Sequence, residues 1–196
     1  MPIEVAADRV NRRHGGETIS TFGLLLKQLT GGSTSLDAIL GGVPGVDPAD
    51  LRGDAHGGAV ETSILLHLLG EGVRPGWQSL PQRTVDIKLR EQAVAPIETP
   101  GKRPGLPQLI RGFRHKIKYF EDETYAGKPS VASAEKGAAF VDIPAEHAAA
   151  ALEEVVNGTR KPDACYSPLW RARHLFVNEP LGRAFECLVG YRNRVF

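Results

Sequence analysis

The segment that most constrains the fold of this chain is residues 59–69, an apolar run that follows a glycine-rich loop. Its large aliphatic residues are Ile64, Leu65, Leu66, Leu68 and Leu69. At helical spacing these side chains surround the axis instead of forming one stripe, which is typical of a helix enclosed by other elements. We therefore predict a helix over residues 59–69 that is buried between the layers of a globular domain.

Other segments also predict helices, and loops rich in glycine and proline separate them. Apolar residues at three- and four-residue steps, or runs of good helix formers, mark each of these segments. The predicted helical segments are residues 18–29, 35–40, 133–140 and 145–156. The proline-rich middle of the chain offers only short strand-like pieces, such as residues 83–89.

Composition excludes several classes of partner. The formal net charge of +1 gives no overall field that would attract nucleic acid or anionic lipid. No apolar run approaches the roughly 20 residues that span a bilayer, and the amino terminus shows no secretion signal. Cys165 and Cys187 are therefore expected to be reduced thiols. We predict a cytoplasmic protein that binds neither nucleic acid nor membrane.

Two loops place a histidine and two glycines directly before a predicted helix: residues 14–17 (HGGE) and residues 54–61 (DAHGGAVE). The glycines let the backbone approach a ligand, and the histidine presents an imidazole at the loop tip. In the second loop, Glu61 lies in the first helical turn, so we expect His56, Glu61 and Asp54 to face one cavity. Side chains of these types bind divalent metal ions.

Each of these residues also has an ordinary structural explanation. His14 is compatible with a surface turn, and Glu61 with a charge that the helix dipole favours at an amino terminus. His67 is interpreted as a core or interface histidine. The basic residues 111–118 (RGFRHKIK) are able to contact phosphates, but the overall charge balance favours a solvated face or a subunit contact.

Two motifs resemble those of the creatininase (creatinine amidohydrolase) family. Residues 56–63 (HGGAVETS) are similar to its His-Ala-Gly-x-x-Glu-Thr-Ser motif, with Gly57 where alanine is usual. Residues 127–137 (GKPSVASAEKG) are similar to its later Gly-x-Pro-x-x-Ala-Thr-x-x-Lys-Gly motif, with Ser133 in place of threonine. The two motifs occur in the family's order, and the resemblance covers residues 10–157.

A third motif is present in altered form, and a fourth is missing. Residues 11–17 (NRRHGGE) resemble the family's metal-binding Asn-Gly-His-Gly-Gly-Asn motif, which follows a strand, but they carry an extra residue after Asn11. The family's first segment, with Glu-x-His-Gly and a later aspartate that supply most of a two-metal site, has no counterpart here. Either the chain is an amino-terminally truncated member, or another chain supplies these ligands, or catalysis has been lost.

The resemblance implies an α/β fold: a three-layer α/β/α domain with a mainly parallel sheet, in residues 1–158. Residues 159–196, which are rich in basic and aromatic side chains, are then a carboxy-terminal extension that packs on this domain or on a partner subunit. A nucleic-acid contact through this extension is the weaker alternative, given the balanced charge. The family also implies a homo-oligomer, commonly a hexamer.

The resemblance further implies metal-dependent hydrolysis of a cyclic or formyl-type amide, a small-molecule substrate. A divalent ion (Zn, Mn or Fe) activates water and polarises the amide carbonyl. His56 is then the catalytic histidine, His14 is a metal ligand, and Glu61 is a metal ligand or the carboxylate that orients His56. The implied substrate-binding residues are Asp54, Gly57 and Gly58. The alternative is a non-catalytic member that acts as a binding or assembly subunit.

Overall fold

A computed structural model describes residues 2–29, 40–95 and 106–190, and these segments are mostly helical. The α-helices, in chain order, are α1 (Pro2–His14), α2 (Thr21–Leu29), α3 (Ala59–Leu69), α4 (Val85–Glu91), α5 (Leu106–Asp122), α6 (Ala134–Val156), α7 (His174–Val177) and α8 (Glu179–Val189). Short 3-10 helices lie at Gly70–Gly72, Trp77–Ser79, Pro129–Val131, Pro162–Cys165 and Pro168–Ala172. None of the helices in these ranges is long and apolar enough to cross a membrane.

Most of the helix predictions are confirmed. Helix α3 has the predicted bounds, and α2 begins slightly later than predicted, at Thr21. The segments predicted at residues 133–140 and 145–156 are parts of one long helix, α6, which contains Pro144. The turn predicted over residues 35–40 lies, except for Leu40, outside the described residues.

The predicted three-layer α/β/α fold with a mainly parallel sheet is wrong, because the described residues contain no β-strand. Their β pairing is limited to one isolated antiparallel bridge between Arg83 and Gly127. The strand-like residues 83–89 mostly form α4, since the hydroxyl of Thr84 accepts a hydrogen bond from the N–H of Ile87 (3.2 Å) and caps the helix. The family motif that residues 11–17 resemble follows a strand. In this chain the residues up to and including His14 form helix α1 instead.

Backbone contacts divide the chain into two compact units. The first comprises Met1–Val43 and Val141–Gly182, and the second comprises Pro44–Phe140 and Arg183–Phe196. In the first unit, the buried apolar cluster consists of Leu24, Ala151, Val155 and Cys165, with Ile19 packed against it. The same unit buries the carboxylate of Glu4, which accepts hydrogen bonds from the backbone and the hydroxyl of Ser167. The predicted domain boundary at residues 158/159 stays a prediction.

The second unit contains the two family motifs. Its larger buried apolar side chains are Leu51, Leu89, Tyr119 and Phe140. Two cations hold the end of α5 through Glu123: Arg83 Nη1 lies 3.0 Å from its Oε2, and Lys88 Nζ lies 3.3 Å from its Oε1. These pairs fix the segment that follows α5 beside α4. Thr84, just before α4, lies against Gly53, and Tyr125, just after α5, lies against Gly57, so both segments border the loop that precedes α3.

The prediction that α3 is buried is wrong for its carboxy-terminal half. Leu65, Leu68 and Leu69 expose 45%, 62% and 59% of their surface. The buried residues of the helix are Ala59, Thr62 and Ser63. The part of α3 that packs is therefore its amino-terminal half, where small side chains allow neighbouring backbone to come close.

Candidate functional site

Asp54 anchors the amino terminus of α3. Its Oδ1 accepts a hydrogen bond from the N–H of Ala59 (2.7 Å), and its Oδ2 accepts one from the N–H of Val60 (2.9 Å). First-turn amides have no partner inside their own helix, and a carboxylate there also interacts well with the helix dipole. The carboxylate is therefore engaged by the backbone of α3.

Two glycines make room for this carboxylate. A Cβ atom added to Gly58 would lie 1.7 Å from Asp54 Oδ1, and one added to Gly127 would lie 1.9 Å from the same atom. Gly127 also has a φ of +137°, a conformation that residues with side chains rarely adopt. The glycines of the two family motifs thus enclose one aspartate.

His56 and Glu61 form a pair on the exposed side of the loop. His56 Nδ1 lies 3.6 Å from Glu61 Oε1, and Glu61 Oε2 accepts a hydrogen bond from the N–H of Gly57 (2.7 Å). Gly57 makes this return of the chain with a φ of +67°. The side chains of His56 and Glu61 are 74% and 52% exposed, so an external ligand has access to both.

An open groove of about 440 Å³ lies beside His56. The residues that line it are His56, Phe120, Glu121, Asp122, Glu123 and Thr124. The His56 ring meets the Phe120 ring edge-on, with a centroid distance of 5.1 Å. The groove therefore combines an imidazole, an aromatic ring and carboxylates, of which Asp122 and Glu123 are paired with cations.

The two family motifs are joined by hydrogen bonds. Ala55 donates its N–H to the carbonyl of Ala126 (2.8 Å), and Ala126 donates its N–H to the carbonyl of His56 (2.9 Å). Further along, the hydroxyl of Ser63 donates to the carbonyl of Ala59 (2.6 Å) and accepts the N–H of Ser133 (3.2 Å). The later motif thus holds the His56 loop and α3 in place.

The structure brings most of the predicted site residues together. Those of the second unit are Asp54, His56, Gly57, Gly58 and Glu61, all on the loop or in the first turn of α3. His14 is the exposed last residue of α1, in the first unit.

Sequence reasoning missed Phe120 and the acidic residues after it, which line the groove beside His56. The change from basic residues to Glu121, Asp122 and Glu123 at the end of α5 was the available signal.

The described residues do not by themselves fit a divalent metal ion. No three histidine, cysteine, aspartate or glutamate side chains within these ranges are grouped as metal ligands. Both oxygens of Asp54 already accept backbone N–H groups, and one oxygen of Glu61 accepts the N–H of Gly57. His56 and Glu61 form a pair, and a structural or catalytic metal site needs at least one further ligand.

A histidine with a neighbouring carboxylate beside an open groove has the groups that general acid–base chemistry uses. Residues 1–152 match the family model described as Creatininase: Creatinine amidohydrolase. The chain therefore belongs to the creatininase family, and the class of activity to which it is related is amide hydrolysis. No curated protein and no solved structure matches this chain.

Proposed function

We propose that this chain takes part in hydrolysing a cyclic or formyl-type amide, with His56 as the residue that transfers the proton. The observation that carries this proposal is the His56–Glu61 pair, in which the carboxylate lies 3.6 Å from His56 Nδ1. Glu61 is itself fixed by the N–H of Gly57. In the proposal this pair shortens to a hydrogen bond when substrate binds, so that the carboxylate orients the imidazole and its other nitrogen delivers a proton to a leaving nitrogen.

The lining of the groove supports a small substrate without a negative charge. Phe120 offers an aromatic surface next to His56, and Glu121 adds a carboxylate. These groups favour a flat molecule that is neutral or positively charged over an anion. In this proposal Gly57 is the glycine beside which the substrate approaches the backbone, and Gly58 and Asp54 act by fixing the loop.

A divalent ion (Zn, Mn or Fe) belongs to this proposal because of the family to which the chain belongs. Glu61 is the residue of this loop that we propose as a ligand, and further ligands must come from outside the described residues of its unit; His14, in the other unit, stays a prediction. Elemental analysis tests whether the ion is bound, with protein purified from cells grown with ample Zn, Mn and Fe. We expect a stoichiometric metal that Glu61→Gln retains less well, and a metal-free protein would count against the proposal.

The catalytic part of the proposal is tested with a panel of small cyclic and formyl amides, with each candidate metal supplied. His56→Gln should lower kcat by about a hundredfold or more, the usual contribution of a proton-transferring group. His147→Gln is the matched control, because His147 is an exposed histidine of α6. Equal rates in the two variants would remove His56 from the mechanism.

A non-catalytic binding or assembly subunit is the second candidate function. Two observations favour it: the described residues hold no group of three metal ligands, and the carboxylate of Asp54 serves the backbone of α3. This candidate predicts a folded chain that binds no metal alone and associates with a more complete family member. Hydrolysis of an amide by the isolated chain at enzyme-like rates would contradict it.

We also propose that the chain forms a homo-oligomer, with the hexamer as the family's common form. The exposed leucines of α3 support an interface, since Leu65, Leu68 and Leu69 together present an apolar surface. Light scattering of the purified chain measures the assembled mass. Leu68→Glu should lower that mass if this surface is buried between subunits, and an unchanged mass would place the interface elsewhere.

A further inference from the structure

Helix α5 carries a row of basic side chains on one face. Arg111, Arg114, His115 and Lys118 are spaced at i, i+3, i+4 and i+7, which places them one above another along the helix. Lys116 has the same type of charge but lies off this row. The sequence favoured a solvated face or a subunit contact for these residues, and the structure adds three observations that the sequence did not contain.

The first observation is an open groove beside these residues. The four basic residues line an open space of about 520 Å³ together with Pro107 and Ile110. We call this space the basic groove. Its volume lies within the range of small-molecule sites, about 300–1,000 Å³. Its wall combines cationic groups with an apolar surface, which suits a ligand with a charged head and an organic body.

The second observation is how the two arginines are held. Arg111 donates to the carbonyl of Ala95 (2.8 Å), and Arg114 donates to the carbonyl of Leu188. Carbonyl partners fix a guanidinium in place without neutralising its charge. Each arginine has further N–H groups besides the one that it donates.

The basic groove is also poor in counter-charges. Among the described residues, no carboxylate lies within ion-pair distance of its four basic side chains, whereas Arg83 and Lys88 of the same unit are paired. Like charges at these helical spacings repel one another and destabilise a helix. An anion bound in the groove would remove this repulsion.

We propose that the basic groove binds a small organic phosphate, at a site separate from the His56 loop. A phosphate group carries close to two negative charges near neutral pH and three acceptor oxygens, which match several fixed cationic donors. The planar guanidinium groups are suited to phosphate geometry. Pro107 and Ile110 contact the organic part of the ligand.

The test measures binding of inorganic phosphate and of phenyl phosphate to the full-length chain by calorimetry. We expect both to bind, phenyl phosphate more tightly, and more weakly as salt is added. Arg111→Gln and Lys118→Gln should each weaken phosphate binding about tenfold, the loss expected for one charged hydrogen bond. Lys116→Gln is the matched control and should bind normally.

Circular dichroism checks that each variant is folded. Lys118 is the safer position, because its side chain makes no hydrogen bond to the described residues that the substitution would remove. An absence of saturable phosphate binding at millimolar concentration would overturn the proposal. The proposal would also fail if Lys116→Gln lost as much phosphate affinity as Arg111→Gln and Lys118→Gln. It would fail as well if a single-stranded oligonucleotide bound more tightly than phenyl phosphate through the same residues.

Discussion

Asp54 illustrates how a side chain that a sequence motif assigns to a site also has a structural role. Sequence reasoning grouped it with His56 and Glu61, because all three lie within one short loop. In the structure the three residues lie on the loop before α3 and in its first turn. The direction of the side chain was not predictable, because it depends on the space left by Gly127, which lies far away in the sequence.

We predict that Asp54→Ala destabilises the protein by about 2 kcal/mol, the upper range for a lost helix cap. The N–H groups of Ala59 and Val60 would lose their acceptors in a partly buried place. Urea unfolding measures the change. Asp47→Ala is the control, since the Asp47 carboxylate accepts the exposed N–H of Ala49 and no other hydrogen bond from the described residues, and it should change stability by less than about 0.5 kcal/mol.

Tyr119 gives a prediction about pH. Burial raises its pKa to about 12, and the nearby negative charge of Glu123 adds to this effect. The phenol is thus harder to ionise in the folded protein than in the unfolded chain, whose ordinary value is 10.0. Its contribution to stability is complete below pH 10 and is lost as the pH rises toward about 12.

Spectrophotometric titration of tyrosinate and unfolding at several alkaline pH values measure this contribution. We expect Tyr119→Phe to remove the latest-titrating tyrosine among the described residues and to flatten the fall in stability over that interval. The hydroxyl also donates to the carbonyl of Tyr125 (2.8 Å), so the variant is compared with the wild-type protein at neutral pH as well. An identical slope in both proteins would contradict the prediction.

At the scale of elements, the bounds of α3 were predictable but its packing was not. Apolar residues on all sides indicated burial, yet the contact that α3 makes with the beginning of α6 uses its small residues. Gly137 of α6 approaches Ser63 of α3 so closely that an added Cβ would lie 1.9 Å from the carbonyl oxygen of Ser63. Such a contact between two helices depends on a pair of positions far apart in the chain, which periodicity does not reveal.

We predict that Gly137→Ala destabilises the protein by about 3 kcal/mol, at the upper range for overpacking, because α3 and α6 must separate to accept the methyl group. Thermal and urea unfolding measure the loss. Gly72→Ala is the control, since among the described residues its added Cβ would come within 4 Å of Leu69 Cβ alone, at an ordinary 3.5 Å. If the two substitutions cost the same, the close approach of the helices would be wrong.

At the scale of the whole molecule, helices α2, α3 and α6 were predictable from local pattern, whereas α1, α5 and α8 were not predicted, and the described residues contain no sheet. No alternating or β-branched run supported a parallel sheet, which normally consists of such runs. The sheet was expected from the family resemblance alone. At residues 83–89 the local pattern itself suggested a strand, and the structure shows instead a short helix that Thr84 caps.

We therefore predict that the purified chain has a helical far-ultraviolet dichroism spectrum and a helical amide I infrared band. The described residues contain no strand, and the segments outside them are too short to supply a dominant sheet. The guanidinium-unfolded chain gives the baseline for both measurements. A spectrum dominated by sheet would contradict the helical structure of the described residues, including α1 and α4. Because α4 adjoins Arg83, whose partner Gly127 encloses Asp54, such a result would also require a different geometry for the His56 loop.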